Sequence, residues 1–468
     1  MEYIGHGNTP IVEQVLPRND SVSRTRNLKR IPIGGRAARE CIDIAYGFFT
    51  PLKGFQGKED VDSVCDTMAL GDGTLWPIPI LLDVEDSTLK ESSVKEGEEI
   101  LLTSQGRPLA IMEVEEIYSY DTTKLAETVL GTGDDKHPGV KMIKGLKNRF
   151  LAGKIHLICE PVFQPPFDAF WYTPKKLRDI FDNKGWQRIV AHQTRNVPHS
   201  GHEWLMKGAW FSAHGDMPVE ELRTGVLVSC IIGPKRVGDY IDEAIVLCHD
   251  QLRNSGYFRD NIHLVSFVLW DMRYAGPREA VFHAILRTNL GCSHHMFGRD
   301  HAGVGSYYDP YDAHRIFDQF DDEKLHIRPI RVLEWWYCPV CGEVTYSGLC
   351  GHEKQKQSFS GTLIRSMLTD RVKPTKLIFR PEVYDRVMDC AEQYGFGSPF
   401  CTDQYLAQRA PVFTLPAINR LLNSRQTKFM AGRSFRFWRE QVAAEYPINI
   451  WINDERYEQL KQAVRACH

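Results

Sequence analysis

The chain has 468 residues, 43% hydrophobic and 25% charged, which is the composition of an ordinary globular protein of about two to four domains. Its formal net charge of −3 provides no general attraction to nucleic acid or membrane surfaces. No stretch approaches the ~18 unbroken apolar residues of a membrane span, and residues 1–15 lack the basic-then-apolar pattern of a signal peptide.

Most of the twelve cysteines stand singly in apolar runs, as Cys159, Cys230 and Cys248 do. Buried single thiols are typical of a reducing compartment. We therefore expect a cytoplasmic protein.

Residues 1–168 are expected to form a β-rich domain, because short apolar runs alternate there with turn signals. The runs are 76–84, 97–118 and 154–163. Within the second run, SQGRP at 104–108 predicts the turn of a β-hairpin.

Residues 169–330 change pattern and predict an α/β domain. Strand-like runs (RIVAHQ, GVLVSCII, IHLVSFVLW and CSHHMFGR) alternate with helical patterns at 201–210 and 277–290. Such alternation favours a parallel sheet covered by helices on both faces. Ligands bind such sheets at the carboxyl ends of the strands.

A dense polar cluster, AHQTRNVPHSGHEWL at 191–205, follows the first of these strands and precedes a helix. A helix start presents unpaired N–H groups and suits an anion, while arginine grips sulfate or phosphate with two N–H groups. The competing interpretations are a solvated polar helix start and a metal site. HEWLM lacks the second histidine of a zinc-protease helix, which weakens the metal interpretation.

Two further basic turns follow later strands of the same predicted sheet. FGRDHAGVG (297–305) supplies glycines, Arg299 and His301, and 271–284 places Arg273 and Arg278 beside a helix start. Each has a plain structural alternative, a glycine turn with an Arg–Asp surface pair or salt-bridged arginines. Three basic turns at strand ends of one sheet would nevertheless converge on one crevice.

The residues 331–392 carry the densest cysteine cluster, YCPVCGEVTYSGLCGHEK at 337–354. Cys-x-x-Cys followed by Cys-x-His predicts a tetrahedral zinc site made of Cys338, Cys341, Cys350 and His352. The alternatives are a redox dithiol or cysteines packed at a turn. The tight Cys-Gly-His ending makes His352 the least secure ligand.

The residues 393–468 form a basic, aromatic extension that ends in a predicted helix at 453–467. No Asp or Glu occurs at 404–439, where Arg409 is the first of seven cations interleaved with aromatic residues. Such a stretch can contact nucleic acid, but its arginines more often pair with acidic residues of another domain or subunit. No GxxxxGK[ST] phosphate loop occurs there.

Several motifs resemble those of the ATP sulfurylase (sulfate adenylyltransferase) family, in its zinc-containing bacterial and archaeal form. The resemblance covers about residues 25–390, in order. It rests on IAYGFFTPLKGFQGKEDVDSV (44–64), DGTLWPIPILLDV (72–84), QTRNVPHSGH (193–202), MRYAGPREAVFHA (272–284), GRDHAG (298–303), SGTLIRSML (360–368) and FRPEVYD (379–385).

The resemblance implies a PUA-like first domain, a Rossmann-like nucleotidyltransferase domain of the HxGH type, and a small zinc-bearing α/β domain before the extension. It further implies roles for particular residues. Gln193 and Arg195 would bind sulfate, together with the backbone of Ala302. The residues expected at the nucleotide are Gln193, Thr194, Arg195, Asn196, His199, His202, Gly298, Arg299, Asp300 and His301, and those from Thr194 to His202 are the catalytic set.

The expected reaction follows from this resemblance. Sulfate would attack the α-phosphate of ATP in line, giving adenosine 5′-phosphosulfate and pyrophosphate, with Mg²⁺ on the phosphates and a homodimer or higher homo-oligomer as the assembly. The sequence departs from the family pattern at Val197, Ser200 and Val304. The alternatives are an HxGH nucleotidyltransferase with another nucleophile and a PUA-like nucleic-acid-binding protein. The physiological direction of the reaction is not encoded in these motifs.

Overall fold

A seven-stranded sheet forms the first part of the computed structural model, which describes residues 2–17, 24–25, 27–218, 221, 223–359 and 361–416. The strands are β1 (Lys29–Pro32), β2 (Gly54–Phe55), β3 (Leu82–Val84), β4 (Glu99–Ser104), β5 (Arg107–Glu113), β6 (Glu116–Ser119) and β7 (Arg149–Leu157). β1 pairs with β4 in parallel, and the other pairs are antiparallel. The β-rich first domain is therefore confirmed.

The predicted hairpin joins β4 and β5. Gln105 and Gly106 occupy its turn with φ values of 52° and 73°. Two consecutive positive φ angles match the right-handed twist of the paired strands, which is why such turns close two-residue hairpins.

Five helices that the sequence analysis did not name accompany this sheet. They are α1 (Gly35–Ala45), α2 (Lys58–Thr67), α3 (Asp86–Ser92), α4 (Thr122–Leu130) and α5 (Pro138–Lys144). Asp121 caps the start of α4, because its carboxylate accepts the N–H groups of Thr123 and Lys124 at 2.9 and 3.2 Å. α1 buries the charged residues Glu40 and Asp43 together with its apolar face, which interrupts the apolar pattern along the sequence.

The second part is the predicted parallel sheet, with β8 (Val162–Phe163) lying before it. Within the described residues its order is β11-β10-β9-β12-β13, every pair parallel. The strands are β9 (Arg188–Thr194), β10 (Thr224–Ile232), β11 (His263–Leu269), β12 (His294–Phe297) and β13 (Arg328–Arg331). The helices are α6 (Pro174–Asn183), α7 (Ser200–His214), α8 (Asp242–Asn254) and α9 (Pro277–Leu290). The strand order reverses at β9, and a crevice opens at the carboxyl end of such a reversal.

One aromatic core joins the first sheet to the second. Phe49 contacts Trp270 and Phe282 edge to face, with ring centroids 5.8 and 5.4 Å apart, and Trp76 contacts Phe282 at 5.5 Å. All four side chains are buried. The two sheets are therefore packed together through a shared hydrophobic interior.

The third part follows the short helices α10 (Asp312–Arg315) and α11 (Asp322–Leu325). Its three-stranded antiparallel sheet has the order β15-β14-β16. The strands are β14 (Trp335–Cys338), β15 (Glu343–Tyr346) and β16 (Gln357–Ser358), and the helices that follow are α12 (Gly361–Thr369) and α13 (Pro381–Gln393).

The start of the basic extension folds back onto β8 and α8. It contains α14 (Asp403–Gln408) and β17 (Phe413–Thr414), which pairs with β8. Arg409 Nη1 lies 2.9 Å from Asp242 Oδ2, so this arginine pairs with another part of the chain, as expected. Residues 417–468, with the other basic residues and the predicted helix at 453–467, lie outside the described residues.

No helix in the described part of the chain is both long and apolar enough to cross a membrane.

Candidate active site

A cavity of about 510 Å³ opens at the carboxyl ends of β9 and β12, where the strand order reverses. The site residues named from the sequence all line it: Gln193, Thr194, Arg195, Asn196, His199, His202, Gly298, Arg299, Asp300, His301 and Ala302. Cavities of this size hold small-molecule ligands. The structure thus brings the predicted set together, while the role of each residue stays a prediction.

The turn after β9 is held by the hydroxyl of Thr194. Its Oγ1 donates to the carbonyl of Asn196 and accepts the N–H of the same residue, both at 3.1 Å. His249 Nε2 of α8 also donates to that carbonyl, at 3.1 Å. Thr194 therefore shapes the loop that carries Arg195 and Asn196 into the cavity.

The two histidines of HSGH cap α7 reciprocally. Nδ1 of His199 accepts the N–H of Gly201 at 3.1 Å, and Nδ1 of His202 accepts the N–H of His199 at 3.4 Å. A nitrogen that accepts a hydrogen bond carries no proton, so each neutral ring has its proton on Nε2. Both histidines therefore present an N–H donor, and their ring centroids are 3.9 Å apart.

The backbone at this helix start offers less to an anion than the sequence indicated. The N–H of Ser200 donates to Ile378 O at 3.0 Å, and that of Gly201 is taken by His199. The expectation of unpaired N–H groups is wrong at these two positions. The histidine side chains stand in their place as donors.

Burial keeps these rings neutral in the free protein. It lowers the pKa of His202 to about 4 and, with the neighbouring His202 and His249 rings, lowers the pKa of His199 well below its ordinary value. At pH 7 both histidines are therefore hydrogen-bond donors, not cations.

Arg195 is held at the cavity wall by two partners. Its Nη1 donates to the Tyr274 hydroxyl at 2.7 Å, and its Nη2 lies 3.3 Å from Asp239 Oδ1. The guanidinium carbon is 5.3 Å from the centroid of the Tyr274 ring. These contacts fix one edge of the fork that would grip an oxyanion.

The loop after β12 contains two non-glycine residues in the left-handed region. Asp300 and Ala302 both have φ of 55°, a region that non-glycine residues seldom occupy. Arg299 and Asp300 form an exposed ion pair at 3.1 Å. This is the Arg–Asp surface pair that the structural alternative for this turn predicted. His301 points inward, where burial lowers its pKa to about 3.

The third basic turn does not bring its arginines to the cavity. Arg273 is buried in an ion pair with Glu40 of α1, and Arg278 donates to the carbonyls of Val64, Pro77 and Cys65. The expectation that these arginines converge on the crevice is therefore wrong. Their neighbours Met272 and Tyr274 line the cavity instead.

The third part of the chain supplies a wall that the sequence analysis missed. Leu333, Glu334, Trp335 and Phe359 line the cavity. Trp335 stacks on Trp204 of α7 at 5.4 Å, and Phe359 lies 5.8 Å from His199. WW at 335–336 was the available signal, but only the packing of β14 on α7 reveals which face it presents.

The cysteine cluster forms a second site at the end of β14. The Nδ1 atom of His352 lies 3.3–3.7 Å from the sulfur atoms of all three cysteines, and Sγ of Cys341 is 3.8 Å from that of Cys350. A tetrahedral zinc ion requires S–S and S–N separations of about 3.8 and 3.6 Å at ordinary bond lengths. Cys338, Cys341, Cys350 and His352 can therefore hold a metal such as zinc.

Comparisons with known proteins agree with this architecture. The ATP-sulfurylase family matches residues 168–390, and the PUA-like domain family matches residues 4–160. The chain is 41% identical to the sulfate adenylyltransferase of Archaeoglobus fulgidus over 392 residues, 79% of this chain and 84% of that protein. It is 38% identical to that of Pyrococcus abyssi over 398 residues, 84% and 98% of the two chains.

A solved structure gives the same fold at lower identity. The hexameric APS kinase from Thiobacillus denitrificans aligns with a TM-score of 0.62 over 82% of this chain and 68% of that chain, at 21% identity. With the family match over the catalytic sheet and relatives that align over most of both chains, the chain belongs to the ATP-sulfurylase family.

Proposed function

We propose that the chain transfers the adenylyl group of ATP to sulfate, forming adenosine 5′-phosphosulfate and pyrophosphate. A sulfate oxygen forms a bond to the α-phosphorus while the bond to the bridging oxygen of the β-phosphate breaks, and pyrophosphate leaves with that electron pair. No proton moves and no covalent enzyme intermediate forms. The observation that carries this proposal is that the residues that the family resemblance assigns to sulfate and to the nucleotide line one cavity.

The two substrates repel each other, so the site must offset charge before attack. In this proposal Gln193, Arg195 and the Ala302 backbone hold sulfate on the side opposite the leaving group. Arg195 is suited to this because Tyr274 and Asp239 already fix its guanidinium. Holding the two reactants in line makes the bimolecular reaction effectively unimolecular.

The phosphates are assigned to Asn196 and the Nε2–H groups of His199 and His202. Neutral donors suit a leaving group whose charge grows during the reaction, because each donor's hydrogen bond strengthens as that charge appears. Gly298, Arg299, Asp300 and His301 complete the nucleotide side. The site serves both directions of the reaction.

Magnesium is proposed to arrive on the ATP phosphates. Two carboxylates line the cavity within the described part of the chain, and both are already paired, Asp300 with Arg299 and Glu334 with Lys356. The ATP phosphates, and not protein carboxylates, would therefore supply most of the ion's ligands other than water.

We further propose zinc at the cysteine cluster, a homo-oligomeric assembly and a cytoplasmic location. The hexameric neighbour supports oligomerisation, and buried free thiols support a reducing compartment. The proposed domains are 1–168, 169–330, 331–392 and 393–468. Light scattering of the purified protein tests the assembly.

Sulfate-dependent exchange of labelled pyrophosphate into ATP tests the reaction. We expect exchange that requires sulfate and vanishes without it. Exchange that runs equally well with a different nucleophile would support an HxGH nucleotidyltransferase with another substrate. Protein that binds nucleic acid across a salt series and shows no exchange would support a PUA-like nucleic-acid-binding protein. The comparisons favour neither alternative.

A further inference from the structure

A buried histidine outside the recognised sulfate and nucleotide residues connects both halves of the cavity. His283 lies in α9 and is fully buried. Its Nδ1 is 2.7 Å from Gln193 Nε2, at the end of β9, and 3.1 Å from His301 Nε2, in the loop after β12. One imidazole nitrogen therefore contacts both Gln193, which is assigned to sulfate, and His301, which is assigned to the nucleotide.

The tautomer of His283 follows from these contacts. The amide nitrogen of Gln193 can only donate, so Nδ1 of His283 accepts and the ring proton sits on Nε2. Burial lowers the pKa of His283 well below its ordinary value, which agrees with a neutral ring. His301 then donates from Nε2 to the same lone pair.

Glu279 stands behind the ring and favours this tautomer. Its Oε1 is 3.7 Å from His283 Nε2, and both side chains are fully buried. Glu279 is itself held by N–H groups of Trp270, Arg273 and Ala275 at 2.7, 3.0 and 3.0 Å. At 3.7 Å this acceptor lies beyond hydrogen-bond distance of Nε2 and only favours a proton there, so the contact with Gln193 is what assigns Nδ1 as the acceptor.

We propose that His283, backed by Glu279, is a positioning residue for sulfate: it fixes the amide of Gln193 so that a nitrogen-bound hydrogen stays available to the oxyanion. This inference rests on the proposed function. Without this acceptor the Gln193 amide can flip. The flipped amide presents its oxygen in place of its N–H group, and that oxygen repels sulfate. His283 does not touch the substrate and acts through Gln193.

The test is a double-mutant cycle on the sulfate KM, measured by pyrophosphate exchange. Removing one hydrogen bond of this kind is expected to raise the sulfate KM about three- to tenfold in His283→Leu. In a Gln193→Ala background the same change should raise it less than twofold, because the residue through which His283 acts is gone. His283→Asn, which keeps a side-chain acceptor, should stay closer to the parent.

His263→Phe is the matched control, because His263 is also fully buried and stacks on Phe258 at 4.9 Å without lining the cavity. It should leave the sulfate KM unchanged. If His283→Leu does not fold, His283→Phe carries the same cycle with a ring of similar size.

A sulfate KM within twofold of the parent in the folded removal variant would overturn the inference. So would equal rises in both backgrounds, which indicate a structural role independent of Gln193. The unmutated protein is assayed first, and if it shows no sulfate-dependent exchange, the proposed function is wrong. If its exchange is normal but the effects of the two substitutions are additive, only the inference about His283 is wrong.

Discussion

The cavity and the cysteine cluster are built in opposite ways. The cluster takes its four ligand groups from residues 338–352, at a partly exposed end of β14. The cavity takes most of its residues from the ends of β9 and β12, which are separated along the chain by α7, β10, α8, β11 and α9, and the turn after β11 and the third part of the chain complete its wall. A local site can be identified from spacing alone, whereas a convergent site can be identified only if the sheet topology is also known.

The difference also concerns stability. The small sheet around the cluster lacks a large core of its own, so we expect the metal to hold it together. The cavity rests on a parallel sheet in which β10, between β9 and β11, is buried along its whole length. Damage to the cluster should therefore appear first as unfolding, and damage to the cavity as lost chemistry.

The largest expected effect is loss of the metal. We expect one zinc per chain, retained through dialysis and absent from Cys338→Ser/Cys341→Ser, because structural zinc sites bind with about 10 kcal/mol or more. Elemental analysis and thermal unfolding measure the two effects. Cys401→Ser, at a buried single thiol, is the control and should keep its zinc. Zinc-free protein that unfolds no more easily would contradict the structural role.

Next in size is His199→Asn, which separates capping from chemistry. Asparagine caps helices well, so stability should be nearly unchanged, while loss of the Nε2–H donor should lower turnover about a hundredfold, or ~3 kcal/mol. His199→Ala should lose the same turnover and in addition ~1 kcal/mol of unfolding free energy. The control is His214→Asn, at the other end of α7. Near-normal turnover in His199→Asn would remove His199 from the phosphate site.

Arg195→Lys should act on sulfate more than on ATP. Lysine keeps the charge but lacks the fork, and a lost charge-assisted hydrogen bond costs about 1.5–3 kcal/mol, so the apparent sulfate affinity should fall about ten- to a hundredfold. Binding of a non-hydrolysable ATP analogue should barely change. Arg236→Lys is matched, because Arg236 lies over the same Tyr274 ring at 5.2 Å without lining the cavity. Loss of nucleotide binding with an intact sulfate response would move Arg195 to the phosphates.

The smallest effect concerns acid stability of the histidine-rich sheet. Burial lowers the pKa of His263 to about 3, so between pH 6.5 and 3 the unfolded chain takes up a proton that the folded chain refuses, and stability falls as the pH falls. His263 should contribute about 1.4 kcal/mol of the loss between pH 7.5 and 5.5. Urea unfolding of the parent and of His263→Phe at both pH values measures this. Equal losses in the two proteins would contradict it.

The sequence revealed much of the catalytic sheet because most of its strands contain an apolar run and its helices carry clear starts. β9, α7 and α9 lie where the patterns placed them, and their connecting loops hold the predicted site residues. Tyr274 and Phe359 could not be identified this way, since an aromatic residue beside a turn is ordinary in any fold. Arg273 was misassigned because its partner Glu40 lies in a distant segment whose helix was not recognised.

The contacts of Glu40 mean that the chain is not modular. Glu40 pairs with both Arg36 and Arg273, while Arg39 binds Asp271 through two hydrogen bonds of 2.6 and 2.7 Å. A truncated protein that begins near residue 168 would leave Arg273 without Glu40 and Asp271 without Arg39, directly beside the cavity residues Met272 and Tyr274. Chimaeras that exchange the first domain between relatives must therefore carry α1 and the 271–274 turn together.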